Sequence, residues 1–144
     1  MGAYNMMDKV EAAWKGQLVK NSFIIANSVY VGLFRKTLLE QKNGIYVYAR
    51  VPFTENDRNQ DTWQVWTEIR CITFTPSDRS LVILRTYIEA VFQVALKDTY
   101  ADFSQSGGVT VSGIDFNNIP EEEYDDNTQI VTLNLITHIE NVEA

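Results

Sequence analysis

The chain has 144 residues, 45% of them hydrophobic, which is enough for one domain with a sizeable core. Its net charge of −7 and the scatter of its 12 basic residues argue against a protein that wraps nucleic acid. The single cysteine, Cys71, excludes an intramolecular disulfide, and no apolar run approaches the roughly 18 residues of a membrane span, so we expect a soluble protein.

The first 44 residues predict a mostly helical region. Residues 8–20 indicate a helix that Asp8 can cap, with Val10, Ala13, Trp14 and Leu18 on one side. Residues 28–41 contain strand-forming residues at Val29–Val31 but also a helical spacing of apolar residues further on. We favour a second helix over 28–41, ended by Gly44, because glycine accepts the left-handed backbone that follows many helices.

Residues 45–53 and 63–74 predict an antiparallel hairpin. The first segment alternates, with Ile45, Val47, Ala49 and Val51 on one face and Tyr46, Tyr48 and Arg50 on the other. The connection over 54–62 is polar, includes Asp57 and Arg58, and is expected to be exposed.

Aromatic side chains occupy both faces of this hairpin. They are Tyr46 and Tyr48 on the first strand, and Trp63 and Trp66 on the second. One helix can cover only one face of a sheet. The other face must therefore be covered by the N-terminal helices or by another subunit, and aromatic residues are enriched at the centres of such interfaces.

Residues 75–97 predict one long amphipathic helix. Thr75 suits the cap, Pro76 the first helical position, and Asp78 the position three residues after the cap. An apolar stripe suited to lie on a sheet follows at spacings of three and four, formed by Leu81, Leu84, Ile88, Val91 and Ala95.

Residues 109–116 and 128–139 predict a second hairpin, preceded by the turn residues Gly107 and Gly108. The connection over 117–127 contains Pro120 and a run of carboxylates, and we expect an exposed loop there. The acidic residues of that connection are Glu121, Glu122, Glu123, Asp125 and Asp126.

No catalytic, cofactor-binding or metal constellation emerges from the sequence. His138 is the only histidine, and its neighbours form no motif of a nucleophile with its base. Cys71 lies in an apolar strand pattern and is expected to be a core residue. The acidic run 121–126 lacks the glycine turn and the alternating ligands of a calcium loop. We therefore expect no enzyme, no cofactor and no metal.

These elements predict a single α+β domain over residues 1–144. Residues 1–44 form its helical part, and residues 45–139 form a β-hairpin, helix, β-hairpin core with a mostly antiparallel sheet.

This order of elements resembles the tail terminator, or tail completion, proteins of tailed bacteriophages. The resemblance rests on the strands 45–53 and 63–74, the helix 75–97, and the strands 109–116 and 128–139, about two thirds of the chain. It is a likeness of layout and carries no shared motif.

The resemblance implies a structural virion protein of the phage neck, assembled in the host cytoplasm. Such subunits form a homo-oligomeric ring, usually a hexamer, that caps the tail tube and joins the tail to the head connector. The implied partners are copies of the chain, the tail tube protein, the sheath of a contractile tail, and head–tail connector proteins. DNA would pass through the ring without sequence recognition, and no membrane is involved.

Under this resemblance the subunit interface would include the aromatic residues of the first hairpin and the charged residues of the two connections. These are Tyr46, Tyr48, Trp63, Trp66, Asp57, Arg58, Glu121, Glu122, Glu123, Asp125 and Asp126.

The alternative interpretation is a small-ligand-binding or enzymatic α+β domain with a pocket between the helix 75–97 and the sheet. Its candidate polar groups are Arg50, Arg70, Tyr48 and His138. A closed ring in solution favours the assembly protein, whereas a monomer with a deep polar cavity favours this alternative.

Overall fold

The protein is an α+β domain in which two helices lie against a mixed β-sheet. The computed structural model describes residues 3–21, 24, 28–32, 43–50, 53–54, 62–74, 78–97, 100, 103, 109–124 and 128–140. The elements, in chain order, are α1 Ala3–Leu18, β1 Val29–Val31, β2 Gly44–Ala49, β3 Phe53–Thr54, β4 Thr62–Phe74, α2 Asp78–Ala95, β5 Thr110–Phe116, β6 Glu121–Tyr124 and β7 Thr128–Glu140.

The sheet has the strand order β1-β2-β4-β7-β5. β2 and β3 both pair antiparallel with β4, and β5 and β6 both pair antiparallel with β7. The two longest strands, β4 and β7, pair along their full length from Thr62 opposite Glu140 to Phe74 opposite Thr128. Their pairing makes them the centre of the sheet, with β1 at one edge and β5 and β6 at the other.

β1 is a strand, so the predicted helix over 28–41 is wrong at Val29–Val31. The reason is a parallel pairing with β2, which places Val29 opposite Ile45 and suits β-branched and aromatic residues. Gly32 ends β1 with a φ of 99°, a conformation that glycine accepts without strain. The remainder of the predicted helix, residues 33–41, lies outside the described residues.

Gly44 begins β2, where a helix cap was expected. A Cβ atom at this position would collide with the backbone carbonyl of Ser28, next to β1, and with the ring of Tyr30. Glycine is therefore needed for the close approach of the two chain segments rather than for a left-handed turn.

α1 begins at Ala3, earlier than the predicted cap at Asp8, which is an exposed residue inside the helix. Met6 is fully buried together with Val10, Ala13 and Trp14, so the apolar side of the helix starts before Asp8, one turn ahead of Val10. α2 ends near the predicted position, and the predicted cap residues Thr75 and Pro76 lie outside the described residues.

The main core lies between the two helices and one face of the sheet. α2 contributes Leu84, Tyr87, Ala90, Val91, Val94 and Ala95, and α1 contributes Met6, Val10, Ala13, Trp14 and Leu18. The sheet contributes every second residue of its central strands, including Val65, Ile69 and Cys71 of β4 and Leu133, Leu135 and Ile139 of β7. We call this side of the sheet the covered face.

Within the described part of the chain, no helix is both long and apolar enough to cross a bilayer.

Candidate functional site: the open face of the sheet

The second face of the sheet, which we call the open face, carries the side chains that alternate with the buried ones. Its members are Tyr46 and Tyr48 on β2; Trp66, Glu68, Arg70 and Ile72 on β4; Ile130, Thr132, Asn134, Ile136 and His138 on β7; and Asp115 on β5. Among the described residues, the core that contains both helices is formed on the covered face, and the open face has a separate small cluster.

That small cluster occupies one end of the open face. Tyr46, Ile72 and Ile130 are buried there, with Tyr30 and Phe74 partly buried against them. The rings of Tyr30 and Tyr46 stack with their centroids 4.7 Å apart. Burial raises the pKa of the Tyr46 hydroxyl to about 12, so the tyrosine is neutral at physiological pH.

The other end of the open face is exposed to solvent and combines one large aromatic residue with polar groups. Trp66 is 36% exposed, and Ile136 lies directly opposite it on β7. Arg50 follows β2, and its backbone amide donates to the carbonyl of Trp66 at 2.8 Å. A shallow recess of about 10 Å³ between Arg50, Trp66 and Asn134 marks this end of the face.

One ion pair and one hydrogen bond flank this end. Arg70 Nη2 lies 3.2 Å from Glu68 Oε1, and the two residues are two positions apart on β4, so they share a face. His138 Nε2 lies 2.8 Å from Asp115 Oδ2, across β7 and β5. The carboxylate of Asp115 remains 72% exposed, which leaves it accessible to a second partner.

The contact between His138 and Asp115 does not include a nucleophile. Ser112 is close by on β5, but its hydroxyl donates to the backbone carbonyl of His138 at 3.4 Å rather than to the imidazole ring. A hydroxyl nucleophile is activated by a hydrogen bond to its base. The three side chains therefore do not have the arrangement of a catalytic triad.

The structure separates the candidate polar groups of the ligand-binding alternative from the helix α2. Tyr48, Arg70 and His138 lie on the open face, and Arg50 lies beside Trp66, whereas α2 packs on the covered face. The predicted pocket between α2 and the sheet is instead filled by core side chains, Leu84 and Val91 of α2 among them. Strand alternation therefore places Tyr48, Arg70 and His138 on the side of the sheet opposite α2.

The predicted interface residues fall in three places. Tyr46, Tyr48 and Trp66 lie on the open face, although Tyr46 is buried there. Trp63 is partly buried against the main core on the covered face. Asp57, Arg58, Asp125 and Asp126 lie outside the described residues.

Glu121, Glu122 and Glu123 lie in a strand, β6, so the prediction of a loop throughout 117–127 is wrong. β6 pairs with the first half of β7, which places Glu121 opposite Thr132 and Glu123 opposite Ile130. Strand pairing by backbone hydrogen bonds requires no apolar side chains, and all four residues of β6 are exposed at the sheet edge. The three carboxylates therefore form a fixed acidic edge.

Cys71 is fully buried in the main core, where burial strongly raises the pKa of its thiol. The neutral thiol is consistent with the predicted packing role. Among the described residues, no group of three or more histidine, cysteine, aspartate or glutamate side chains is placed to hold a metal ion.

No protein-family model matches the chain, and no curated protein matches it either. The functional argument therefore depends on the arrangement of the residues themselves.

Proposed function

We propose that the protein is a structural virion subunit, a phage tail terminator or tail completion protein, that assembles into a ring. The observation that carries this proposal is the one-sided packing of the domain. Both described helices lie on the covered face, and among the described residues no helix packs over Trp66, Tyr48 and Ile136 on the open face. Aromatic surface of this kind is typical of contacts between subunits.

The two edges of the sheet support a ring. β1 consists of Val29, Tyr30 and Val31, of which Val31 is 50% exposed, whereas β6 at the opposite edge presents three glutamates. A closed ring is built from heterologous contacts, in which two different patches of neighbouring subunits meet. The β1 edge and the β6 edge of one subunit differ, so they meet that requirement. Two β6 edges would repel one another, because both are acidic.

The order of the elements also agrees with this assignment. A hairpin, helix, hairpin layout with an additional N-terminal helix resembles the tail terminator subunits, which cap the tail tube and join the tail to the head connector. The tail tube protein, the sheath of a contractile tail and the connector proteins are the partners that this assignment implies. The virion neck is the location that it implies.

The uneven distribution of charge suits a subunit that surrounds DNA without binding it. All 12 basic residues lie at or before Lys97, and acidic residues continue to the end of the chain. Glu121, Glu122 and Glu123 would line the bore and repel the phosphate backbone. Replacing all three by lysine should impair DNA passage or tail assembly, and unchanged production of infectious particles would contradict this role.

The ring itself is tested by native mass spectrometry and light scattering of the full chain over a range of concentrations. We expect a closed oligomer, a hexamer by the resemblance, with few open intermediates. Electron microscopy of the same sample should show rings. A protein that remains monomeric at every concentration would overturn the assignment.

A further inference from the structure

One row of side chains crosses β4, β7 and β5 in register on the open face and begins at Arg50, the residue that follows β2. Arg50 pairs with Trp66 through its backbone amide, Trp66 lies opposite Ile136, and Ile136 lies opposite Asp115. Directly opposed residues of neighbouring antiparallel strands share a face, so all four positions are on the same side of the sheet. In order, the row consists of the cation Arg50, the aromatic Trp66, the aliphatic Ile136 and the anion Asp115. It spans roughly 14 Å at the usual strand spacing.

We infer that this row is a self-complementary contact through which two copies of the chain pack their open faces together. A two-fold axis parallel to the strands, midway between β4 and β7, brings each end of the row over the opposite end in the second copy. Arg50 then meets Asp115 of the other copy, and Trp66 meets Ile136 of the other copy. Sheets stacked in this way lie about 10 Å apart, with their side chains interdigitated.

The charges of the row favour this axis over the other in-plane two-fold axis. An axis along the row would place Arg50 over Arg50 and Asp115 over Asp115, and apposed like charges strongly disfavour a contact. The axis parallel to the strands places opposite charges together at both ends. The charge pattern therefore specifies the orientation of the second copy.

Neighbouring rows agree with the same orientation. Glu68 and Asn134 are directly opposed on β4 and β7. Glu68 of one copy would therefore meet Asn134 of the other copy, and the reverse. Gln64 and His138 are also directly opposed, so Gln64 of one copy would meet His138 of the other copy. Arg70 would lie over Thr132 of the second copy, so the axis superposes no like charges in these rows.

Existing contacts within the chain leave the ends of the row available. Arg50 is exposed, and Asp115 uses one carboxylate oxygen toward His138 while the group remains largely exposed. Arg70 and Glu68 are already paired with one another. Arg50 and Asp115 are therefore the charged groups of this face that are best placed to reach a second copy.

Charge reversal at the two ends of the row tests the contact by sedimentation velocity. Arg50→Glu and Asp115→Arg should each weaken the dimer about a hundredfold or more, because each reversal converts two attractive contacts into two repulsive ones. Both residues are exposed, so circular dichroism should show folded variants. Arg79→Glu, at an exposed position of α2, is the control with the same change of charge and should leave the dimer unchanged.

Recombining the reversals gives the sharper result. An equimolar mixture of Arg50→Glu and Asp115→Arg chains should form a heterodimer, because both pairs across the axis are then of opposite charge. The double variant should regain the homodimer for the same reason. Wild-type protein that forms no such dimer, single reversals that leave it intact, or reversals that no combination rescues would each overturn the inference.

Disulfide trapping tests the orientation separately. A mixture of Trp66→Cys and Ile136→Cys chains should cross-link more than either variant alone, because positions 66 and 136 face each other across the axis. The native Cys71 is fully buried and does not compete. Stronger cross-linking in either single variant would contradict the orientation.

The face-to-face contact uses the same open face on which the proposed ring rests, but it is tested separately, because it depends on the charges of Arg50 and Asp115 and on a two-fold axis. A ring that survives Arg50→Glu unchanged, with no two-fold pairing of its subunits, overturns this contact and leaves the ring in place. A wild-type dimer that responds to the charge reversals as expected, in a protein that never forms rings, supports the contact and overturns the proposed function.

Discussion

The two faces of the sheet are built from the same strands but differ in how their side chains are buried. The covered face packs against both helices and includes fully buried Trp14, Leu84 and Leu133. The open face holds one small buried cluster at one end and Trp66 with charged and polar neighbours at the other. The difference shows that alternation along β4 and β7 places one set of side chains in the main core and the next set on the open face.

The hydrogen bonding and the exposure of polar groups also differ between the two faces. On the covered face, Trp14 Nε1 donates to Thr137 Oγ1 at 3.1 Å, and Thr137 Oγ1 lies 3.0 Å from Thr67 Oγ1. Thr67 can in turn donate to the carbonyl of Val65. Buried polar atoms here satisfy one another in a chain, as burial requires. On the open face, the charged side chains of Arg50 and Asp115 are exposed, whereas Glu68 is only 13% exposed.

A matched pair of tryptophan substitutions should give the largest contrast between the faces. Trp14→Ala removes a fully buried ring that packs edge-to-face on Phe103, and we expect a loss of about 3–5 kcal/mol in the free energy of unfolding. Trp66→Ala should cost clearly less than Trp14→Ala, because about one-third of Trp66 is already in water whereas Trp14 is fully buried. Urea denaturation at low protein concentration measures both, since assembly would otherwise add to the apparent stability. Equal losses would contradict the assignment of the two faces.

Thr137→Val should have the next largest effect. The substitution keeps the shape of the side chain but leaves the buried indole N–H of Trp14 without its acceptor, at a cost of about 1–3 kcal/mol. Thr132→Val on the open face is the control at a buried position of the same strand, and we expect a smaller change. The same denaturation experiment compares them. A Thr137 variant as stable as the wild type would mean that the buried hydrogen-bond chain contributes nothing to folding.

Glu11 offers a pH-dependent test of the covered side. Its carboxylate accepts a hydrogen bond from the backbone amide of Ala49 at 3.0 Å, and burial raises its pKa, with a further increase from Asp8. A carboxyl whose pKa is higher in the folded than in the unfolded state contributes most stability at low pH and loses that contribution as pH rises through the folded value.

The stability of wild type relative to Glu11→Gln should therefore fall as pH rises from about 4 to about 7. Thermal unfolding across this range measures the difference. Glu89→Gln, an exposed substitution on α2, provides the matched control. A difference between wild type and Glu11→Gln that is constant or increases with pH would contradict the stated cause.

Glu68→Gln should have the smallest effect. The side chains of Arg70 and Glu68 are 32% and 13% exposed, and glutamine keeps an oxygen that can accept from Arg70, so the expected loss is about 1 kcal/mol. Denaturation at low and at high salt measures it, because screening weakens exposed pairs. A loss as large as that of Thr137→Val would mean that the open face also carries much of the stability.

The sequence predicted the elements whose signal is local. Alternation identified the core-facing residues of β2, such as Ile45 and Val47, and helical spacing located α2. The α+β class and two of the helical segments followed from these patterns. The predicted start of α1 was wrong because the capping preference of Asp8 was weighed above the apolar Met6, which lies one turn before Val10 on the buried side.

The elements that the sequence missed depend on pairing between distant segments. β1 forms because its three residues align in parallel with β2, and this alignment outweighs the helical spacing that follows. β6 has no apolar pattern, and it forms because the long β7 offers backbone partners beyond the end of β5. The row from Arg50 to Asp115 could not be predicted either, since it needs the registers of three strand pairs and of the irregularity between Val111 and Gly113.

Radical footprinting of solvent-accessible side chains, followed by mass spectrometry across a dilution series, tests most directly whether the open face is the contact surface. We expect Trp66 to lose labelling as the protein concentration rises, while Leu96, exposed at the end of α2, keeps its labelling. Trp66 labelling that stays constant while Leu96 becomes protected would place the contact on the helical side and contradict the account.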